Sequence, residues 1–307
     1  MSEKYFLGID TSNYRTSAAI CDEGGNICAS IRELLSVADG QRGLRQSDAL
    51  FAHTVALPQI LEKLGSYPLA AVGYSAYPRD CDGSYMPCFL AGAASARAVA
   101  AMLGIPCYPF SHQAGHIAAA AYSCGGVSKS PDRFLAFHIS GGTTEALLYE
   151  NGKIKMLGET RDLNAGQLID RIGVLLGMSF PCGEEMEKLA YGSPLTKGIK
   201  VCVNGFDCNL SGIENQAADR IKRGDTPASV AAFTLDAVLK TVDRISENLT
   251  REYPGLPILY AGGVMSCKRL QTALGKKYEA FFATLEFSGD NAAGTALLCR
   301  DKYLARS

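Results

Sequence analysis

The sequence predicts an α/β fold made of two similar halves, and three observations carry that prediction. A unit of strand, small polar turn, strand and tight turn occurs near the N-terminus and again at mid-chain. Segments with helical spacing alternate with short apolar strands along the rest of the chain. The 307 residues suffice for about two domains, each with a core of its own.

Phe6-Leu7-Gly8-Ile9-Asp10 reads as a buried strand, because it is a short apolar run that ends at turn residues. The polar stretch from Thr11 to Ser17 reads as the turn that follows. Ala18 to Cys21 is the second strand, closed by Asp22-Glu23-Gly24-Gly25-Asn26. The second copy starts with Phe134 to Ile139 and turns at Ser140-Gly141-Gly142-Thr143-Thr144. It returns along Ala146 to Tyr149 and turns again at Glu150-Asn151-Gly152-Lys153. A turn of glycines and hydroxyls lets main-chain N–H groups approach a phosphate closely. Taken alone, each turn is better read as a plain β-hairpin; the pair together moves the reading toward a phosphate clamp.

Between the repeats, Ser47 to Leu64 carries apolar residues at helical spacing and Leu69 to Tyr74 reads as a strand. Phe89 to Leu103 is an Ala-rich helix stopped by Gly104 and Pro106. The polar stretch Gly125 to Pro131 is the expected domain boundary. Beyond it, Asn164 opens a helix to about Leu176, Glu184 to Ala190 forms a short one, and Ala228 to Leu249 a long amphipathic one. Leu210-Ser211-Gly212 is expected in a loop. Pro257 to Val264 is a strand running into Gly262 and Gly263, where a flat ring can lie on bare backbone.

Composition narrows the function. The chain is 47% hydrophobic and 20% charged, as in soluble globular proteins, and its net charge of −1 gives no global field for nucleic acid. The basic runs Arg220 to Arg223 and Lys276-Lys277 are short enough to be solvated helix faces. Eleven scattered cysteines with no C-x-x-C pair indicate reduced thiols and a cytoplasmic location. No signal peptide is expected, and Arg97 interrupts the longest Ala-rich run, so no membrane partner is expected either.

His112 and His116 stand four residues apart in Ser111-His112-Gln113-Ala114-Gly115-His116, before a run of small apolar residues. On a helix both imidazoles leave the same face, a geometry suited to a borderline metal. The competing reading is that one ring packs and the other is solvated. His53 carries no assignment beyond packing.

In this order the motifs resemble the TsaD family of tRNA N6-threonylcarbamoyladenosine synthases. Leu7-Gly8-Ile9-Asp10-Thr11-Ser12 is similar to its opening L-G-I-E-T-S, and His112-x-x-Gly115-His116 to its H-x-x-G-H. Ile139-Ser140-Gly141-Gly142 is similar to V-S-G-G. Ala165-Gly166 to Asp170 with Pro181-Cys182-Gly183 resembles A-G-E-A-F-D…P-G-G. Leu210-Ser211-Gly212 resembles F-S-G, Ala261-Gly262-Gly263-Val264 matches A-G-G-V, and Asp290-Asn291 matches part of T-D-N.

The resemblance implies two ribonuclease-H-like lobes of the actin/hexokinase/Hsp70 type with a nucleotide cleft between them. The N-terminal lobe would span 1–130, the C-terminal lobe 131–291, with 292–307 packing back on the first. It implies a divalent metal, Fe or Zn, on His112, His116 and Asp290. It also implies an adenine nucleotide or adenylate held by His138, Ile139, Ser140, Gly141, Gly142, Asp170, Gly183, Gly262, Gly263 and Cys267. The activity implied is transfer of threonylcarbamoyl from its adenylate to N6 of adenosine in tRNA, with tRNA and a paralogous subunit as partners.

The chain departs from the family at several points. Asn13-Tyr14-Arg15 stands for Cys-Asp-Asp, Thr143 follows the Ser-Gly-Gly, and Asn164 and Gln167 stand for acids. Glu214 stands for a lysine and Cys267 for an asparagine. These changes describe a divergent relative: an acyltransferase, a paralogue with another acceptor, or a non-catalytic partner subunit. A metallopeptidase ranks last, because Gln113 cannot serve as the base that zincin chemistry places after the first histidine.

Overall fold

The computed structural model describes residues 3–12, 15–35, 45–125, 127, 132–284 and 291–306. In chain order it runs β1 (Tyr5–Ser12), β2 (Arg15–Asp22), β3 (Ile27–Leu34), α1 (Gln46–Leu64), β4 (Leu69–Tyr77), α2 (Phe89–Leu103), β5 (Cys107–Ser111) and α3 (His112–Ser123). It continues with β6 (Arg133–Ile139), β7 (Thr144–Glu150), β8 (Lys153–Glu159), α4 (Ala165–Leu175), α5 (Gly183–Ala190), β9 (Cys202–Asn204), β10 (Asp207–Asn209) and α6 (Ser211–Lys222). It closes with α7 (Pro227–Glu252), β11 (Ile258–Ala261), a 3₁₀ turn (Gly263–Ser266), α8 (Lys268–Gly275), β12 (Ala280–Phe282) and α9 (Asn291–Leu304).

The chain divides into two compact units. One comprises Met1–Ser123, Gly152–Ile154 and Glu286–Ser307, the other Cys124–Asn151 and Lys155–Leu285. Their sheets have the same topology. The first runs β3-β2-β1-β4-β5; the second, from its β8 edge, runs β8-β7-β6-β11-β12. In the first, β1 pairs antiparallel with β2 and parallel with β4, which pairs parallel with β5. In the second, β6 pairs antiparallel with β7 and parallel with β11, which pairs parallel with β12. A hairpin arm followed by helical crossovers to parallel strands therefore occurs twice, as the repeated motif predicts.

Local chemistry accounts for the helix ends. The Thr226 hydroxyl accepts from Ser229 N–H at 3.3 Å and Pro227 occupies the first turn of α7. Asn164 and Gln167 form a capping box on α4, so the amides that replace family acids keep the helix start and lose only the charge. The 26 residues of α7 bury Val230, Phe233, Val238 and Ile245 against Phe137, Ile139 and Leu148 of the second sheet. The first core joins Leu7, Ile9, Ile20 and Val72 of its sheet to Leu57, Ile60 and Ala96 of α1 and α2.

Three expectations are revised. The stretch expected as a wide turn from Thr11 to Ser17 is mostly strand, with Ser12 opposite Arg15 and Thr11 opposite Thr16; Asn13 and Tyr14 lie outside the described residues. The hydroxyls are used internally. Thr11 donates to the Cys88 carbonyl at 3.0 Å, Ser12 to Asp10 at 2.6 Å, and Thr16 meets His53 Nδ1 at 2.7 Å. Ser211 is the first residue of α6 and not a loop residue. The strand expected to Val264 stops at Ala261, because Gly262 takes φ +96°. Of the expected boundary at 125–131, only 125 and 127 are described. Among the described residues no helix is long and apolar enough to cross a membrane.

In the first unit, α9 crosses α3 and β1 at backbone contact. A Cβ on Gly294 would stand 1.9 Å from the Gly115 carbonyl oxygen, and one on Gly8 would stand 2.2 Å from that of Ala292. Both obstacles are backbone. Gly294→Ala should therefore cost about 3 kcal/mol in urea unfolding. A loss below about 1 kcal/mol would show that the crossing relaxes freely.

Candidate functional site

β5 leads directly into α3, whose first turn is capped by the Ser111 hydroxyl accepting from Ala114 N–H at 3.1 Å. One helical turn then sets the His112 and His116 rings edge-on with centroids 4.4 Å apart. His112 Nδ1 lies 2.9 Å from Asp10 Oδ1, so the C-terminal end of strand β1 reaches the histidine helix. Asp10 is buried. Burial raises its carboxyl, but the charge and hydrogen bond of His112 and the Ser12 hydroxyl outweigh that and hold it well below the usual range.

Asn291, the first residue of α9, stands on the same ring. Its Nδ2 is 2.9 Å from His112 Nδ1 and 3.3 Å from Nε2, while its Oδ1 is buried without a partner. A carboxylate behind one imidazole nitrogen is the outer-shell arrangement of histidine metal ligands, since it fixes the tautomer that leaves Nε2 as the donor. That donor chemistry and the unsatisfied Asn291 oxygen fit an ion. Among the described residues no three His, Cys, Asp or Glu side chains converge as a ligand set. Asp290 lies outside the described residues.

The second unit contains a cavity of about 770 Å³, the size that holds a nucleotide or similar small ligand. Five residues singled out from the sequence line it: Gly141, Asp170, Gly183, Gly263 and Cys267. At Gly141, Gly183 and Gly263 the space a Cβ would take is open, so bare main chain borders the cavity. The other five do not line it. Ile139 is in the core, His138 is half-buried on β6, Gly262 packs against the Ile139 carbonyl, and Ser140 and Gly142 shape the turn. Ser140 N–H donates to the Thr143 carbonyl at 2.8 Å, and Gly166 N–H of α4 donates to the Ser140 carbonyl at 3.2 Å. A Cβ on Gly166 would stand 2.6 Å from that oxygen, so α4 approaches the turn this closely only with glycine there.

Asp170 Oδ1 accepts Cys182 N–H at 2.8 Å and so holds the 181–183 turn against α4. Glu187 Oε1 accepts Lys268 N–H at 2.6 Å, tying α5 to the start of α8. Burial pushes the Cys267 thiol up to about 11 and raises Cys182 as well, so both stay protonated at neutral pH. Sequence reasoning missed Glu187, Leu235, Lys268 and Gln271 in the cavity wall. Glu187 and Gln271 have only helical spacing from Glu184 and Cys267 as a sequence signal, Lys268 only adjacency to Cys267, and Leu235 none, so nothing in the sequence hints that three helices converge. Glu214, which reverses a family charge, sits 3.3 Å from Arg171 and is compensated locally.

Asp162 organises the Leu210-Ser211-Gly212 segment. Its Oδ1 accepts Leu163 N–H at 2.6 Å and Leu210 N–H at 2.8 Å; its Oδ2 accepts the Ser211 N–H at 3.2 Å and hydroxyl at 2.5 Å.

Two five-stranded sheets of identical topology, with a nucleotide-sized cavity in one unit, define a protein of the actin/hexokinase/Hsp70 class. Solved structures share this fold. HypF of T. kodakarensis aligns over 99% of this chain and 48% of its own, with TM-score 0.64 and 14% identity. A ROK family glucokinase from Streptomyces griseus aligns over 96% of this chain and 99% of its own, with TM-score 0.54 and 13% identity. Within this class the chain belongs to the TsaD family: the model described as tRNA N6-adenosine threonylcarbamoyltransferase matches residues 56–297. A curated relative of that name from Methanopyrus kandleri is 27% identical over 299 residues, covering 94% of this chain and 84% of its own.

Asp162 gives this region a pH signature. Burial raises its carboxyl, but the Ser211 hydroxyl and the N–H groups of Leu210, Leu163 and Ser211 bring it down from 3.8 to about 2. A carboxylate depressed by folding contributes stability above its unfolded value and loses it as pH falls through the folded one. The melting-temperature gap between wild type and Asp162→Asn should stay constant from about pH 8 to pH 5 and close between about pH 4 and pH 2. A gap unchanged to pH 2 would remove Asp162 from this role.

Proposed function

We propose that this chain transfers the threonylcarbamoyl group of threonylcarbamoyl-AMP to N6 of an adenosine in tRNA. The reading rests on one observation: in a TsaD family member, a nucleotide-sized cavity presents bare main chain at Gly141, Gly183 and Gly263 beside the Asp170 carboxylate. Main-chain N–H groups at the Gly141 turn suit the adenylate phosphate. The second oxygen of Asp170 is available to a ribose hydroxyl while the first holds Cys182. Val264 and the protonated Cys267 give an apolar wall suited to adenine. The acceptor N6 forms a bond to the carbamoyl carbon and gives up one proton to solvent, the carbon–oxygen bond to phosphate breaks with its electron pair going to that oxygen, and AMP leaves.

His112, His116 and Asp290 would hold a divalent ion, Fe or Zn, which when bound would polarise the carbamoyl carbonyl. Support comes from the Asp10 carboxylate behind His112 and from Asn291, the chain neighbour of Asp290, against the same ring. The proposed partners are tRNA and a paralogous subunit, in the cytoplasm. A second reading, a non-catalytic partner subunit, is favoured by Cys267, whose thiol replaces the family's amide in the cavity wall.

Metal content separates the two readings. The proposal expects about one ion per chain in wild type and loss of that ion in His112→Ala, measured by elemental analysis. Wild-type metal content in the variant would end the assignment.

A Cβ on Gly263 would meet nothing within 4 Å, so Gly263→Val should fold while its methyls project into the cavity. Wild type should gain several degrees in melting temperature with millimolar AMP or ATP, and the variant should gain none. In a host lacking its own enzyme, wild type should restore the tRNA modification and Gly263→Val should not. Failure of wild type to restore it would redirect the search to another acceptor.

A further inference from the structure

The segment between α5 and β9, residues 191–201, has an exposed surface and a rigid base. Tyr191 is 90% exposed and Leu195 58% exposed. Lys197 and Lys200 are exposed, and neither joins an ion pair among the described residues. Elsewhere in this unit Arg161, Arg171, Lys188, Arg220, Lys222 and Lys277 pair with carboxylates, whereas Lys155, Arg223, Arg251 and Lys276, like Lys197 and Lys200, join no ion pair among the described residues; what sets this segment apart is its lack of any acid. No Asp or Glu occurs from Lys188 to Phe206. Lys240 adds a third cation under the segment, donating to the Ile199 carbonyl at 2.6 Å.

The base is a buried ion pair. Arg269 Nε and Nη2 donate to Asp236 Oδ1 and Oδ2 at 2.6 and 2.8 Å, with side chains 14% and 4% exposed. The same guanidinium donates to the Ser193 carbonyl at 2.9 Å and the Pro194 carbonyl at 3.1 Å, and Thr196 N–H donates to Asp236 Oδ2 at 2.7 Å. A buried pair adds little net stability, but its fork geometry fixes what it touches. Here it fixes an irregular segment beside the cavity. Asp236 follows the cavity-lining Leu235, Arg269 follows the cavity-lining Lys268, and the segment starts one helical turn after the cavity-lining Glu187.

We propose that residues 191–200 form an RNA-contacting platform beside the nucleotide cavity. The inference rests on tRNA being the acceptor and goes beyond it by naming where the RNA is held. Lys197 and Lys200 take backbone phosphates, and the Tyr191 ring stacks on an unpaired base. Single-stranded loops are where RNA offers both at once, splayed bases and close phosphates. An acidic protein surface would answer the lysines but gives no role to a ring this exposed next to a cavity that must admit an adenosine.

The test is fluorescence anisotropy of an end-labelled tRNA transcript with an adenosine beside its anticodon, titrated with full-length protein at several salt concentrations. Lys197→Ala/Lys200→Ala should bind about tenfold more weakly at low salt, with a log–log salt slope shallower by about 1.5. Tyr191→Ala should bind about tenfold more weakly with the slope unchanged. The AMP-induced melting shift, read on the same samples, should match wild type in both variants. Wild-type RNA affinity and slope in both variants would overturn the platform, whether or not binding to a protein partner is lost. Absence of RNA binding by wild type would overturn both the platform and tRNA as acceptor, while the AMP shift reports on the cavity separately.

Discussion

In both units the main chain comes closer to itself than any side chain allows, and each candidate site is assembled at such a crossing. In the first unit, Gly294 of α9 sits on the Gly115 carbonyl of α3, and Gly8 of β1 sits under Ala292. Those contacts carry Asn291 to the His112 ring and set α9 across the end of β1, where Asp10 faces His112. In the second unit, Gly166 sits on the Ser140 carbonyl and Gly262 on Ile139, which draws α4 and the strand-to-3₁₀ turn to one cavity. Glycine is needed at these points because a Cβ would meet a carbonyl or an amide, which cannot rotate aside.

The glycines divide by role. Gly166 and Gly262 are filled around and hold walls together; Gly141, Gly183 and Gly263 are open and leave the wall bare. Mean composition cannot distinguish the two kinds, and neither can a motif match, since Gly262 and Gly263 are adjacent in one motif and play opposite parts. The carboxylates divide similarly. Asp162, Asp170, Glu187 and Asp236 each accept a main-chain N–H and lock a segment in place. Only Asp170 and Glu187 of these also border the cavity.

The divergence from the family becomes easier to interpret once these partners are known. Asn164 and Gln167 keep the capping box without its charge, and Glu214 meets Arg171, so both changes are absorbed locally. Cys267 is different: it is buried and held protonated in the cavity wall, where it supplies an apolar surface and no hydrogen-bonding amide.

The sequence by itself determined the periodic features: the duplicated strand–turn–strand unit, the placement of α2 and α7, and the i, i+4 histidines of α3. These follow from local patterning, with period two in strands and 3.6 in helices, which a chain records directly. Tertiary structure alone decided the partners. Asp10 and His112 meet across 102 residues, and the hydroxyls of Thr11, Ser12 and Thr16 turn inward to Cys88, Asp10 and His53 instead of lining a phosphate turn. The cavity wall likewise joins Leu235 of α7 to Glu187 of α5 and Lys268 of α8. Such pairings depend on where helices cross a sheet, and a crossing between distant segments leaves no period in the sequence to read.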